Sequence, residues 1–421
     1  MEKKIDKKID RNEQIYQLTT LVAGRFSLQE VLDKLAEAAV KITDVKACSI
    51  RLLDEEAGNL KMRSTYGLSE EYRNKGTVLK DDPVIKAAFA GQAVVIDDMR
   101  IDKRVRFKEA TIKEGLVSQL TVAMLFRNKP IGVLRLYSPV PKHFNKEDIA
   151  IARAVASQCA VAITNARLYS EAIEGARIAE QMHLAGIIQR RMIPEKAPTI
   201  AGLDIAAVYI PCFEIGGDFY DLQQIDDTKI AVAIADVIGK GIPAAIMMSS
   251  FRGTLRAYAG DIDGHPSIRD IVTKLNRMAC RECRDGEFIT LLYAIIDAEK
   301  KTVTYCNCGH EPAVLIRAGQ TKELTAGGLV LGVDSKAAYE IETIQLSGGD
   351  CLMFYTDGLA DATNFNGEFW TRERMLETAK KFSTDSAEQM VRNILGYRRR
   401  FVGLAPQLDD TSLIVVKTLA K

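Results

Sequence analysis

Two glycine-flanked aspartates lie eighteen positions apart in GGDFYD…ADVIGKGIPAA, with Asp218 before one apolar strand pattern and Asp236 at the end of the next. Two more acidic sites follow: Asp357 in YTDG, and the pair Asp409 and Asp410 in QLDD. Carboxylates gathered at strand ends with no basic partner repel one another. Such a cluster persists only where protons or divalent cations neutralise it. The pattern predicts a metal site.

The 421 residues exceed what a single hydrophobic core usually supports, and at roughly 150 residues per domain they suggest two or three units. With 57 basic and 56 acidic residues the net charge is +1, so no overall field favours nucleic acid or an anionic membrane. No segment approaches the ~18 uninterrupted apolar residues that a membrane helix needs. The start, MEKKIDKKIDRNEQ, lacks the apolar stretch of a signal peptide, so a cytoplasmic location is expected. Of the eight cysteines, only Cys280 and Cys283, and Cys306 and Cys308, are closely spaced. One pair lies at a helix end and the other on a strand pattern, which favours buried or incidental thiols over a zinc site. Disulfides are not expected in a reducing compartment.

From about residue 12 to 165 the pattern runs helix, strand pair, short helices, strand pair, helix. VLDKLAEAAVKI carries apolar residues at helical spacing, and ACSIRLLD and NLKMRSTYG read as strands around the EEAG turn. SQLTVAMLF and IGVLRLYS flank the turn RNKP, and a long helix begins near FNKEDIAIARAV. This is an α+β, sensor-like layout. The segments G-x-V-x-x-x-x-P, GQAVVIDDM, DKR, KPIGVLRLYS and FNKEDIAIARAVASQCAVAITNA resemble a GAF domain, an antiparallel sheet with helices. The resemblance implies a sensor that takes an upstream activator or a small ligand. It carries no cyclic-nucleotide signature, and Cys48 and Cys159 sit in apolar patterns that suit core thiols better than bilin attachment.

No proline occurs between Pro141 and Pro194, and only Gly175 and Gly186 weaken a helical pattern from about 145 to 192. A helical linker over 166–196 is expected to join the sensor to a domain spanning 197–421. Leu168, Ile173, Met182, Leu184, Ile187 and Ile188 fit a strict heptad poorly, leaving open both a dimeric coiled coil and a helix packed on its own domains. A homodimer is the expected assembly. His183 reads as a solvated or packing residue, because no glycine-rich ATP-binding segment follows it.

Beyond residue 197, eight segments read as strands: DIAAVYIP, FYDLQQI, KIAVAIADV, FITLLYAIID, TVTYCNCG, AVLIRAG, CLMFYTD and TSLIVVKT. Two helical blocks, PAAIMMSSFRGTLRAYA with SIRDIVTKLNRMACREC and RERMLETAKKF with SAEQMVRNILGYRRRF, suggest two packed sheets covered by helices. A three-residue loop over 226–228 makes Asp218 face Asp236; a loop longer by one shifts the partner to Val237. Either register leaves both carboxylates at one end of the hairpin. Asp357 ends one strand pattern and Asp409 precedes another. If these ends meet, the all-oxygen set suits Mg²⁺ or Mn²⁺. Two such ions about 3.5–4 Å apart can activate a water and clamp a phosphoryl group without a nucleophilic side chain.

The segments QRRMIP, GGDFYD, ADVIGKGIPAAIMMS, FITLLYAIID, NCGHEPA, TDGLADATN and QLDDTS, in this order over 188–416, resemble the metal-dependent PPM (protein phosphatase 2C-like) phosphatases of the bacterial sporulation and stress-response branch. The resemblance implies an αββα sandwich, two Mn²⁺ or Mg²⁺ ions, and hydrolysis of phosphoserine or phosphothreonine on a protein, often an anti-sigma-factor antagonist of the STAS class. By motif, Asp236 would bridge both metals. Asp218 and the backbone carbonyl of Val237 would complete the first site, and Asp357 and Asp409 would hold the second, with Asp409 preferred to Asp410. No arginine matches the phosphate-binding residue of the eukaryotic relatives. His310 could protonate a leaving oxygen or simply cap a turn, and Lys240 is a candidate phosphate contact.

The turn after Asp236 leads within a few residues into the helix 243–258, so a sensor helix packed there could move a metal ligand. Two other functions remain in view. A pseudophosphatase or scaffold would keep the fold without turnover, against which the intact carboxylates count. A diguanylate cyclase is suggested by Gly216-Gly217-Asp218-Phe219, but Phe219 stands where that family needs an acidic residue.

Overall fold

The computed structural model describes residues 27–260 and 267–419. The opening segment MEKKIDKKIDRNEQ and the expected domain start at residue 12 lie outside the described residues. The chain divides into two compact units, at Ala176/Arg177.

In the first unit, six strands form one sheet in the order Val78–Leu79, Asn59–Tyr66, Ala47–Asp54, Lys129–Ser138, Ser118–Phe126, Val94–Ile96, every pairing antiparallel. Side chains alternate across a strand, so each strand serves two faces. Cys48, Ile50, Leu120, Val122, Met124, Leu134 and Leu136 form one face. They pack against Leu32, Leu35, Ala36 and Ala39 of the helix Leu28–Thr43 and against Ile151, Val155, Ala156 and Cys159 of the long helix. The first helix starts at a capping box, with Ser27 accepting from the Glu30 amide and Glu30 accepting from the Ser27 amide. The opposite face carries Ala47, Val133 and Tyr137 beneath the short helices Glu70–Arg73 and Pro83–Phe89 and the segment around Met99.

One helix, Lys146–Met192, runs for 47 residues. Asn145 caps it, its side-chain oxygen accepting from the amides of Glu147 and Asp148. One stretch of this helix is long and apolar enough to cross a membrane by length and composition alone. Its apolar residues Ala152, Val155, Ala156, Cys159 and Ala160 are fully buried in the core of the first unit, which accounts for that composition. Farther along, Leu168, Ile173, Ile178, Leu184 and Ile188 are exposed.

The second unit stacks two sheets between helical layers. One sheet runs Gly327–Gly328, Thr302–Cys308, Ile289–Asp297, Lys229–Val237, Phe219–Gln224, with Glu342–Gln345 also pairing on Thr302–Cys308. The other runs Gln320–Leu324, Ala313–Arg317, Cys351–Tyr355, Thr411–Thr418, Leu203–Ile210. Period-two alternation sorts the layers. Leu352, Phe354, Ile414 and Val416 point between the sheets toward Ile230, Val232 and Ile234, while Leu291 and Tyr293, on the other face of their sheet, pack under the helices Ile242–Ala259 and Ile268–Glu282. Cys351, Met353, Tyr355, Leu413 and Val415 point outward beneath the helices Arg372–Lys381 and Ala387–Val402. The result is the expected αββα sandwich. The sequence reading missed three strands, Gln320–Leu324, Gly327–Gly328 and Glu342–Gln345, which are short or polar and lack an apolar alternation.

Candidate metal centre

The hairpin Phe219–Gln224/Lys229–Val237 adopts the shorter of the two registers: Phe219 pairs with Ala235 and Tyr220 with Ile234, and continuing the ladder one step puts Asp218 opposite Asp236. On its other side Asp236 pairs with Thr290 of the neighbouring strand. Asp357 sits two residues beyond the strand Cys351–Tyr355, in the first turn of the short helix Asp357–Ala360 rather than on the strand itself. Asp409 and Asp410 immediately precede Thr411–Thr418, which pairs with Cys351–Tyr355.

These segments bring the carboxylates within Coulombic reach of one another. Asp218 is 2% exposed, and its Oδ2 has no hydrogen-bond partner. Burial, followed by the charge of Asp236, holds its carboxyl well above the usual range. Asp236 is pushed up to about 6, by burial first and then by Asp357, with Asp409 and Asp410 adding to the effect. Asp357 opens to solvent, yet the surrounding protein and then the Asp409 charge raise its carboxyl too. Asp218 and Asp236 are close enough to share a hydrogen bond.

Among the described residues no three acidic, histidine or cysteine side chains converge closely enough, as placed, to close a coordination shell. The hydrogen bonds show where the other oxygens go. Lys240 donates to Asp409 Oδ2 at 2.8 Å and to the Leu408 carbonyl, so an ammonium stands at this carboxylate. Asp410 is 4% exposed and turns inward: Oδ1 accepts from the Cys212 amide at 2.8 Å, and Oδ2 from the amides of Gly217 at 2.9 Å and Asp218 at 3.4 Å. A buried carboxylate with three amide donors is satisfied by the backbone it organises. The Val237 carbonyl faces the same loop, since a Cβ added at Gly217 would lie 2.8 Å from its oxygen. Hard, oxygen-only donors, one of them buried and unpartnered, suit a divalent cation such as Mg²⁺ or Mn²⁺.

Several supporting residues had gone unassigned in the sequence. Gln189, 5% exposed near the end of the long helix, donates to the Gly216 carbonyl at 2.8 Å and accepts from the Gly216 amide at 2.9 Å. His183 of the same helix meets Glu214 at 3.1 Å. The tail of the long helix therefore bonds to the loop before Asp218, and among the described residues no hydrogen bond joins it to Ile242–Ala259. Asp221, one strand turn beyond Asp218, pairs with Arg256 at 2.5 and 2.7 Å and with Arg252 at 3.5 Å, tying that helix to the hairpin. The only sequence signals were the position of Gln189 at the head of QRRMIP and of Asp221 at the end of GGDFYD.

His310 lies behind Asp236 rather than in the open site. It is 6% exposed, its Nδ1 is 2.7 Å from Thr290 Oγ1, and its amide donates to Asn307 Oδ1 at 2.7 Å. Burial pulls its pKa down to about 4, so the ring is neutral at pH 7 and suited to holding a turn. Cys306 and Cys308 are buried with their sulfurs 3.9 Å apart on one strand, and Cys280 and Cys283 lie at a helix end.

Residues 226–419 match the Stage II sporulation protein E (SpoIIE) family, and residues 27–164 match the GAF domain. The phosphoserine phosphatase RsbU of Bacillus subtilis is 31% identical over 242 residues, covering 57% of this chain and 70% of that protein. Protein IcfG of a Synechocystis strain is 29% identical over 257 residues, 54% of this chain and 40% of its own length. Among solved structures, the SiaA-PP2C domain of Pseudomonas aeruginosa matches 58% of this chain and 98% of its own, at 17% identity and a TM-score of 0.52, which supports the sandwich fold alone. A strand–carboxylate framework of this form, joined to an RsbU relationship across most of that protein, places the chain in the SpoIIE/RsbU branch of the PPM protein serine/threonine phosphatases, with a GAF domain ahead of the phosphatase domain.

Proposed function

We propose that the chain hydrolyses phosphoserine or phosphothreonine on a partner protein, an anti-sigma-factor antagonist of the STAS class, using two Mn²⁺ or Mg²⁺ ions. Asp218, Asp236, the Val237 carbonyl, Asp357 and Asp409 would hold them. The observation that carries this reading is the approach of Asp218, Asp236, Asp357 and Asp409 from separated segments, with three of the carboxyls held protonated more readily than usual by one another and by burial.

Bound divalent cations supply charge that lowers the pKa of a water and polarises a phosphoryl oxygen. The chain's own residues set the geometry. Asp410 fixes Gly217 and Asp218 by their amides, which aims the Asp218 carboxylate. Asp236 would hold the cations as a deprotonated carboxylate, and Asp409, which accepts from Lys240, would offer them its other oxygen. His310, neutral and bonded to Thr290, buttresses the strand of Asp236. The sensor would regulate turnover through the long helix, whose exposed Leu168, Ile173, Ile178, Leu184 and Ile188 suit a homodimer contact. A cytoplasmic setting fits this reading.

The test is release of phosphate from a phosphorylated STAS protein with Mn²⁺ present. Turnover that disappears in Asp357→Asn supports the proposal. Intact manganese binding without turnover on any phosphoprotein would favour the scaffold alternative.

A further inference from the structure

The sensor sheet's second face is unusual in carrying cations where a core face would carry apolar residues. Arg51 and Arg135 point the same way from adjacent strands, since Ser49 pairs with Arg135 and Arg51 with Val133. They are 4% and 7% exposed, and the Nε of each has no hydrogen-bond partner. Lys75 joins them from the cover, its Nζ 3.1 Å from the centre of the Tyr72 ring and 5.9 Å from that of Phe107. Burial, then the charges of Arg135 and Arg51, pull the Lys75 ammonium down to about 6. Among the described residues no carboxylate pairs with any of the three.

The described acidic groups nearby form no ion pair with Lys75, Arg51 or Arg135, and only Glu114 acts on Lys75 from a distance. Asp82 accepts from the Val84 amide as a helix cap, Asp102 pairs with Arg104, and Glu114 accepts from the amide and hydroxyl of Ser69. Buried cations without counter-charge are costly, and an anion held between them would offset that cost. Between these groups lies a cavity of about 30 Å³ whose lining includes Lys75, Arg135, Arg104, Gln119, Phe107 and one acidic residue, Asp82. That is room for roughly two water-sized bodies. A planar anion of three or four non-hydrogen atoms fits this space, and its flat face matches a guanidinium fork.

We propose that this cavity is a binding site for a compact planar oxyanion, a small carboxylate or an inorganic oxyanion, held by Arg135 and Lys75 with Arg51 behind them. On binding, Lys75 leaves the Tyr72 ring for the anion and takes up a proton from solvent, and the guanidiniums of Arg135 and Arg51 gain the counter-charge they lack. The site does not depend on the phosphatase reading, because its readout is the unfolding of the sensor.

The full-length protein is melted in sodium gluconate, too bulky for the cavity, with acetate or nitrate replacing gluconate at constant ionic strength. The expected result is a rise of several degrees in the sensor's unfolding midpoint that saturates in the millimolar range and vanishes in Arg135→Gln and Lys75→Met. Exposed Arg127→Gln should keep the response. A larger rise with acetate assigns a carboxylate, and a larger rise with nitrate an inorganic oxyanion. Should Arg135→Gln fail to fold, Lys75→Met decides alone, by abolishing the rise with acetate and with nitrate. No saturable rise with either anion, or an equal rise in Lys75→Met, overturns the proposal.

Discussion

The Gln189 side-chain amide exchanges two hydrogen bonds with the backbone of Gly216, two residues before Asp218. A helix that begins in the GAF domain thus ends by holding the loop that leads into Asp218. Gly216 has no room for a side chain: an added Cβ would lie 2.0 Å from Asp410 Oδ2 and 2.2 Å from the Tyr209 hydroxyl. The loop is therefore pinned from two sides, by Gln189 and by Asp410.

Removing the first pin should loosen the loop without unfolding the domain. Gln189→Ala forfeits two buried hydrogen bonds to backbone, a loss of about 1–3 kcal/mol. Expressed in the loop, this is roughly a tenfold rise in the Mn²⁺ concentration for half-maximal turnover, with little change in the melting midpoint of the metal-free protein. Gln189→Glu keeps the acceptor but not the donor and should fall between. A chain beginning near residue 197 lacks Gln189 and should resemble the alanine variant; manganese dependence identical to that of the full chain would remove this coupling.

Asp409 and Asp410 should separate cleanly. Asp410→Ala strips three backbone amides of their acceptor, so a stability loss of about 2–4 kcal/mol is expected, read as a lower midpoint in urea. Asp409→Asn removes only the charge of a half-exposed side chain and should leave the midpoint nearly unchanged while weakening metal binding measured by calorimetry. The opposite pattern would exchange the two roles.

Much of this was legible in sequence, for physical reasons. Period-two alternation in FYDLQQ and KIAVAIADV, with a short polar turn between, confines the hairpin to two registers, and the structure takes the one that opposes Asp218 to Asp236. The long helix was readable because nothing in 146–192 breaks it. Gln189 was not readable as a clamp, since a side-chain amide bonding backbone 27 residues away leaves no periodic trace. Nor was Asp410, whose type and neighbours match those of Asp409 and whose direction depends on how the strand at Thr411 enters the sheet. The strand Gln320–Leu324 escaped because its residues are polar edge residues.

The carboxylate cluster sets a pH dependence with a defined sign. Asp236 has a folded pKa of about 6, above its usual carboxylate value, and Asp218 is raised as well. Each holds its proton more tightly in the folded state; for Asp236 the stabilisation is complete below about pH 4 and is lost as pH rises through about 6, and the Asp218 contribution has the same sign. Metal-free protein, kept so with chelator, should therefore lose up to a few kcal/mol between pH 4 and 7. Asp236→Asn should flatten that slope. Saturating Mn²⁺ should reverse it, because protons and cations compete for the same oxygens.

Lys240 is the counter-ion of Asp409, and its removal distinguishes two roles. As a mere competitor for that carboxylate its contribution is that of a half-exposed ion pair, about 0–1 kcal/mol. Lys240→Met should then lower the half-saturating Mn²⁺ concentration by up to about fivefold and leave KM for the phosphoprotein unchanged. If Lys240 instead turns to the substrate phosphate once metal occupies Asp409, KM should rise while the manganese requirement stays put. Titrating metal at saturating substrate, and substrate at saturating metal, reads the two effects independently, and a change in neither would show that the 2.8 Å contact serves only to fasten the turn at Gly239 to the segment before Asp409.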